Sequence, residues 1–361
     1  MSTILYVLLA ILLLGILIAI HEFGHFLMAR LTGIAVKEFA IGFGPKILSW
    51  KSKKYETVYS LRLLPLGGFN AFYGEDDLEG KEKDDPRAFG KQAVWKRMLV
   101  VLMGPGMNFI LAYLVLFFWL WIGGIGVVTG VEPYISDVTA GSPAAQAGLR
   151  AGDVITEING AEMLDGTTDT LLDAIASWQD GDAPLALTVR RGGETTAASV
   201  TPFWDAEEGR PRIGVIISAR IQSVERQALT LPEAAREAGA EWVYVSGAIL
   251  RALKNLVTTG EGLDQTAGPV GAISVISQEV RSGGLDAFLS MLATISVNLG
   301  LMNLLPIPGL DGSRFLFLLL EAIRRKPIEP KREAMVNLAG MALLFALMIF
   351  LTFRDVMNLF K

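Results

Sequence analysis

ILYVLLAILLLGILIAIHEFGH, residues 4–25, is the stretch from which the rest of this chain is read. Ile4 to Ile20 carry no charge, and the run ends in His21-Glu22-Phe23-Gly24-His25. On a helix, positions i and i+4 share a face, so both imidazoles reach one metal ion, with Glu22 beside them to work on a metal-bound water. Two imidazoles with carboxylates nearby suit zinc among the divalent metals. An accidental histidine pair is the plain alternative. Against it, these are the chain's two histidines, and Glu22 is a charge that a membrane helix does not carry without a use.

Composition supports a membrane setting. The 361 residues are 52% hydrophobic and 19% charged, with a mean hydropathy of +0.44, too apolar for an ordinary soluble domain. A net charge of -5 without a long basic run, and without zinc-finger or helix-turn-helix patterns, argues against nucleic acid as a partner. There is no cysteine, which removes disulfides, thiolate ligands and a cysteine nucleophile but does not choose a compartment. The N-terminal segment has neither a basic n-region nor a small-residue cleavage site, so it reads as a retained helix rather than a signal peptide.

In chain order, residues 1–31 form a first span, since about 20 apolar residues cross a bilayer. Residues 32–97 mix β-branched and aromatic residues with glycines, predicting short strands joined at Gly42 to Pro45 and at Gly67-Gly68 and pressed against the membrane. The charged tract 75–87 reads as a solvated loop. A second span, 98–122, holds Gly104-Pro105-Gly106 and Asn108. Glycine permits close helix approach and proline interrupts the helical ladder, so this end marks either a kink or a part of the site.

Residues 126–202 have the composition of a soluble domain. GSPAAQAGLRAGDVITEING, residues 141–160, reads as a short helix opened by Ser142-Pro143, a glycine turn and a strand. A helix at 168–178 and a hairpin turn at Gly192-Gly193 follow. This segment resembles a PDZ domain, with a small β-rich spacer as the alternative. The resemblance implies that an extended peptide or a C-terminus binds there by strand addition. Residues 203–284 read as a linker with an interfacial helix from Pro232 to Val257 and an apolar patch, after Gly268-Pro269, too short to span.

A third span, 285–305, runs into NLLPIPGLDG at 303–312, then a loop and short helix fill 306–333 before a fourth span, 334–353. The two prolines force a turn. Asp311 then either caps the following helix or supplies the ligand that a His-Glu-His site lacks, because catalytic zinc commonly takes three protein ligands plus water.

Lys and Arg counts orient the spans: twelve in residues 32–97 and six in 311–332, against eleven in the much longer 123–284. By the positive-inside rule the first and third connections are cytoplasmic, with the PDZ-like domain outside. HEFGH and LDG then lie at similar depth.

HEFGH, the GFGP and LPLGGF segments, GPGMN, the PDZ-like insertion, GPVG and NLLPIPGLDG together resemble the intramembrane site-2 metalloproteases, close to the RseP-like regulators of bacterial envelope stress. The resemblance implies a polytopic α-helical membrane protein with four transmembrane helices, a membrane-associated β-hairpin or sheet region and an inserted α+β PDZ domain, in a bacterial inner membrane. It implies Zn2+ held by His21, His25 and Asp311, Glu22 as general base, Asn303 at the substrate, and a sheet, including Gly67 and Gly68, that guides the substrate strand. The implied substrates are single-pass transmembrane proteins such as anti-sigma factors, and remnant signal peptides. RseP is associated with two tandem PDZ domains; this chain offers one. A zinc transporter would need polar positions along a path through the bilayer, and a non-catalytic adaptor would not need Glu22.

Overall fold

The computed structural model describes residues 3–75, 85–163, 169–206, 209–262 and 266–359. Most of the tract read as a solvated loop, and Thr168 at the expected helix start, lie outside them. The chain divides into two compact units, Met1–Gly123 with Leu229–Lys361, and Gly124–Ala228.

The first unit opens with α1 (Thr3–Thr32), long enough at about 1.5 Å per residue to cross a bilayer with HEFGH in its second half. Strands β1 (Val36–Lys51) and β2 (Val58–Phe72) follow as an antiparallel pair. These are two long strands rather than several short ones, because each bends without leaving the sheet. Glu38 to Ile41 is registered with Val58 to Leu61 on one side and with Gly68 to Ala71 on the other. Gly42 (φ 89°) and Gly67 (φ 133°) take the positive φ values at the bends, which side chains resist. Phe26 of α1 packs on Phe39 and Tyr59, and Arg30 donates to Thr57, whose hydroxyl donates to the Val36 carbonyl. The sheet is thereby fastened to the end of α1. A 3-10 turn (Phe89–Lys91) precedes α2 (Val94–Gly123), which carries Pro105 in its interior.

The second unit contains β3 (Ile125–Val138), α3 (Pro143–Gln146), β4 (Val154–Ile158), β5 (Ala161–Glu162), α4 (Asp169–Ala176), β6 (Leu185–Arg191), β7 (Glu194–Val200), β8 (Phe203–Asp205), β9 (Arg210–Arg212) and β10 (Val215–Gln227). Its main sheet has the order β10-β3-β4-β6-β7, with β5 on β4, over a core that includes Ile135, Ile155, Leu171 and Leu187. The domain therefore does not end at residue 202. Part of the expected linker supplies β10, which pairs along the length of β3. That pairing joins segments about ninety residues apart, so no local alternation announces it.

The first unit resumes with α5 (Leu231–Thr258), started by a capping box between Thr230 and Glu233. Then come α6 (Pro269–Asn303), α7 (Asp311–Arg324) and α8 (Pro330–Leu359). The expected patch after Pro269 is helical and leads into the third span. As one straight rod α6 would measure about 50 Å, well beyond a hydrocarbon core of about 30 Å. It is broken instead at Gly284, whose φ of 61° and ψ of -135° no helix contains. α1, α2, α6 and α8 are the described helices long and apolar enough to cross a membrane. In α8, 6% of the most apolar window is buried, so nearly all of its apolar surface is left for lipid.

Candidate metal centre

His21 and His25 lie one turn apart on α1, both buried. Asp311 reaches them from a different part of the chain. The Pro306 to Leu310 turn ends α6 and starts α7, with Leu310 as N-cap and no side-chain capping bond, so Asp311 is the first helical residue and does not cap. Its Oδ2 lies 3.1 Å from His21 Nε2 and 3.4 Å from His25 Nε2, and the two nitrogens are 3.3 Å apart. With metal–ligand bonds of about 2.0–2.1 Å, the edge of a tetrahedron is about 3.3 Å, so these three atoms match three corners of a zinc site. Asp311 Oδ2 is buried with no hydrogen-bond donor. A metal held here would need this group as the carboxylate, with both Nε2 lone pairs facing it.

Helix α2 backs the histidines along one face, through Val100, Gly104 and Asn108 at four-residue spacing. His25 Nδ1 lies 2.8 Å from the Val100 carbonyl. That bond puts a proton on Nδ1 and leaves the Nε2 lone pair for a metal. A Cβ at Gly104 would overlap the His25 ring, and one at Gly24 would overlap the Met103 carbonyl. These two glycines set the closeness of α1 and α2, and of the GPG segment it is Gly104 that packs against a candidate ligand, His25. Asn108, fully buried, approaches His21 Nδ1 at 3.2 Å.

Glu22 faces the sheet. Asn70 Nδ2 donates to its carboxylate at 2.7 Å and to its carbonyl at 2.8 Å. A Cβ at Gly68 would stand 2.9 Å from Glu22 Cγ, so the strand rests on that side chain. A cavity of about 390 Å³ joins His21, Glu22, His25 and Asp311 to Gly67, Gly68 and Asn303. Gly67 packs under the Phe43 ring. All seven residues singled out in the sequence thus line one cavity.

Arg314, one turn beyond Asp311, lines the same cavity. It is ion-paired with Glu75 and lies over Phe89, 4.4 Å from the ring centre. Burial acts to lower its pKa, but the carboxylates of Glu75 and Glu333 more than offset that and hold it charged. Arg97 at the start of α2 and Glu321 on α7 form a two-pronged pair, 3.0 and 2.6 Å, which clamps the helix bearing Asp311. Sequence reasoning missed Asn70, Arg314 and the role of Asn108. The signal for Asn108 was present, a lone amide in an apolar span four residues after a glycine; Asn70 had none, since only the bent register brings it to Glu22.

The profile of peptidase family M50 matches residues 9–347. The regulator of sigma-W protease RasP from Bacillus subtilis is 34% identical, with 97% of this chain and 98% of that protein covered. The zinc metalloprotease RasP of Bacillus licheniformis is 32% identical over the same shares. Among solved structures, the PDZ domain of an SdrC-like protein from Listeria monocytogenes is 30% identical over 25% of this chain and 90% of that one, with a TM-score of 0.22.

Proposed function

Because the chain belongs to peptidase family M50 and is a multi-pass, intramembrane zinc metalloprotease, we propose that it hydrolyses a peptide bond inside the transmembrane segment of single-pass membrane proteins. In this reading His21, His25 and Asp311 hold the zinc and Glu22 is the general base. The observation that carries it is the triangle of ligand atoms, 3.1 to 3.4 Å on a side, next to the uncharged run of a membrane helix and opening on a cavity. Zinc bound there would supply Lewis acidity toward a carbonyl and toward water.

The chain's own residues do the rest. Glu22, held by Asn70, accepts a proton from the attacking water and returns it to the departing amine nitrogen as the carbon–nitrogen bond breaks. A substrate helix hides its carbonyls in its own hydrogen bonds and must unwind to be cut. The Gly68 to Ala71 segment, registered with Glu38 to Ile41 on one side, offers its other edge to an unwound strand and compensates the freed backbone groups. Gly67, Gly68 and Asn303 would then flank the scissile bond.

The Lys and Arg asymmetry supports an inner-membrane topology with the metal centre toward the cytoplasm and the PDZ-like domain outside. That domain would read a peptide or new C-terminus on the substrate, or exclude substrates not yet trimmed. The relative's role in sigma-W regulation supports an anti-sigma factor or similar regulator as substrate, with remnant signal peptides as a second group. The test is Glu22→Gln in purified, zinc-loaded protein with a reporter transmembrane peptide. Zinc content should stay at wild-type level while cleavage falls by about 10²–10⁴-fold. Persistent cleavage by a zinc-replete variant would overturn the assignment.

A further inference from the structure

For a histidine to bind a metal through Nε2, its other nitrogen must carry the proton, and something must accept it. On His25 the Val100 carbonyl does so at 2.8 Å. On His21 the group within reach of Nδ1 is the Asn108 amide, placed with its nitrogen 3.2 Å from the ring nitrogen. One feature argues against that orientation. An amide N–H directed at Nδ1 would force the ring proton onto Nε2, where it would occupy the space between His21, His25 and Asp311 that a metal needs. Exchanging the two ends by a half-turn changes almost nothing in shape, because amide nitrogen and oxygen are nearly the same size. It places an acceptor against Nδ1–H.

We propose that Asn108 is a positioning residue for the metal centre: its Oδ1 accepts the His21 Nδ1 proton, fixing the tautomer and ring orientation that aim Nε2 at the metal. The surroundings hold it there. Ser296 on α6, itself fully buried, donates to the Asn108 backbone carbonyl at 2.8 Å, tying this level of α2 to a third helix. One face of α2 thus serves both ligands, with a carbonyl at Val100 for His25, a side chain at Asn108 for His21, and Gly104 between them leaving room for the His25 ring. An asparagine that only filled space would need no acceptor in reach of the ring.

This rests on His21, His25 and Asp311 being the ligands, and its test separates the two claims. Zinc affinity is measured by chelator competition on purified full-length protein carrying Asn108→Leu or Asn108→Asp. In parallel, the ring nitrogens are read by NMR in zinc-loaded wild-type protein labelled with 15N-histidine, which is tractable because the chain has two histidines. Asn108→Leu should weaken zinc binding by about 10–100-fold. Asn108→Asp, which keeps an acceptor in place, should stay within a few-fold of wild type, and His21 Nδ1 should carry a proton. Wild-type affinity in Asn108→Leu, equal losses in both variants, or a bare His21 Nδ1 would overturn the proposal. Should Asn108→Leu fail to fold, the wild-type spectrum and Asn108→Asp still decide. Absence of stoichiometric zinc from the wild type would instead count against the ligand set.

Discussion

Gly104→Ala adds one methyl group and should cost the protein its metal. An alanine Cβ at this position would lie 2.9 Å from His25 Cδ2 and closer still to Cε1 and Nε2. Resting contacts between heavy atoms are about 3.5–4.0 Å, so the ring must withdraw by roughly 1 Å. It cannot do so freely, since its Nδ1 is tied to the Val100 carbonyl on the same helix. Metal–ligand distances tolerate about 0.2 Å, so a shift of that size takes His25 out of coordination. Losing a partner behind a ligand already costs about 10–100-fold in affinity. Losing the ligand should exceed the upper figure, which corresponds to about 2.7 kcal/mol, on top of about 1–3 kcal/mol of overpacking. The assay is chelator competition in detergent, with Gly106→Ala as control. A Cβ at Gly106 would meet Met103 Sδ at an ordinary 3.5 Å, and alanine is the better helix former by up to about 1 kcal/mol. Equal zinc affinity in the two variants would refute the steric argument.

Three further outcomes are expected. Asp311→Ala should lower bound zinc in direct metal analysis, and unchanged occupancy would remove Asp311 from the ligand set. Arg97→Ala or Glu321→Ala strands a buried charge, with side chains 10% and 14% exposed in the pair, and should cost about 3–5 kcal/mol; denaturation in detergent measures it, and a loss below about 1 kcal/mol would show the clamp to be idle. In the sheet, burial acts to raise the Glu38 carboxyl, but hydrogen bonds from Ser60, Arg62 and Lys46 lower it from 4.5 to about 2. Its contribution to stability is therefore complete above pH 4.5 and lost as the pH falls through 2. Thermal unfolding across that window should be flatter for Glu38→Gln than for wild type, and parallel slopes would discount the linkage.

What could be read from the sequence follows the range of the interactions involved. HEFGH needs one turn of helix to bring its groups together, so spacing alone assembles half of the site. Asp311 was readable because prolines and an acidic residue in a membrane-level turn demand explanation, although its distance from His21 rests on α7 being clamped by Arg97 and Glu321. The β3–β10 pairing, the doubled register of β1 and β2, and the Asn70 contact with Glu22 are all non-local. Local periodicity carries no record of such contacts. The break at Gly284 was hidden for another reason: a single glycine in an apolar run is as compatible with an intact membrane helix as with a broken one.

The separation of the three metal-facing residues along the chain has a consequence for the order of biogenesis. His21 and His25 leave the ribosome nearly three hundred residues before Asp311. At about 5–20 residues per second that interval is roughly a quarter of a minute to a minute. Throughout it the nascent chain presents two histidines and Glu22 to the membrane without the carboxylate that completes the triangle. With Asp311 as the third ligand, as proposed, a half-made chain would be chemically disarmed and would become competent to cut only when α7 docks, after α2 and the sheet have already been synthesised.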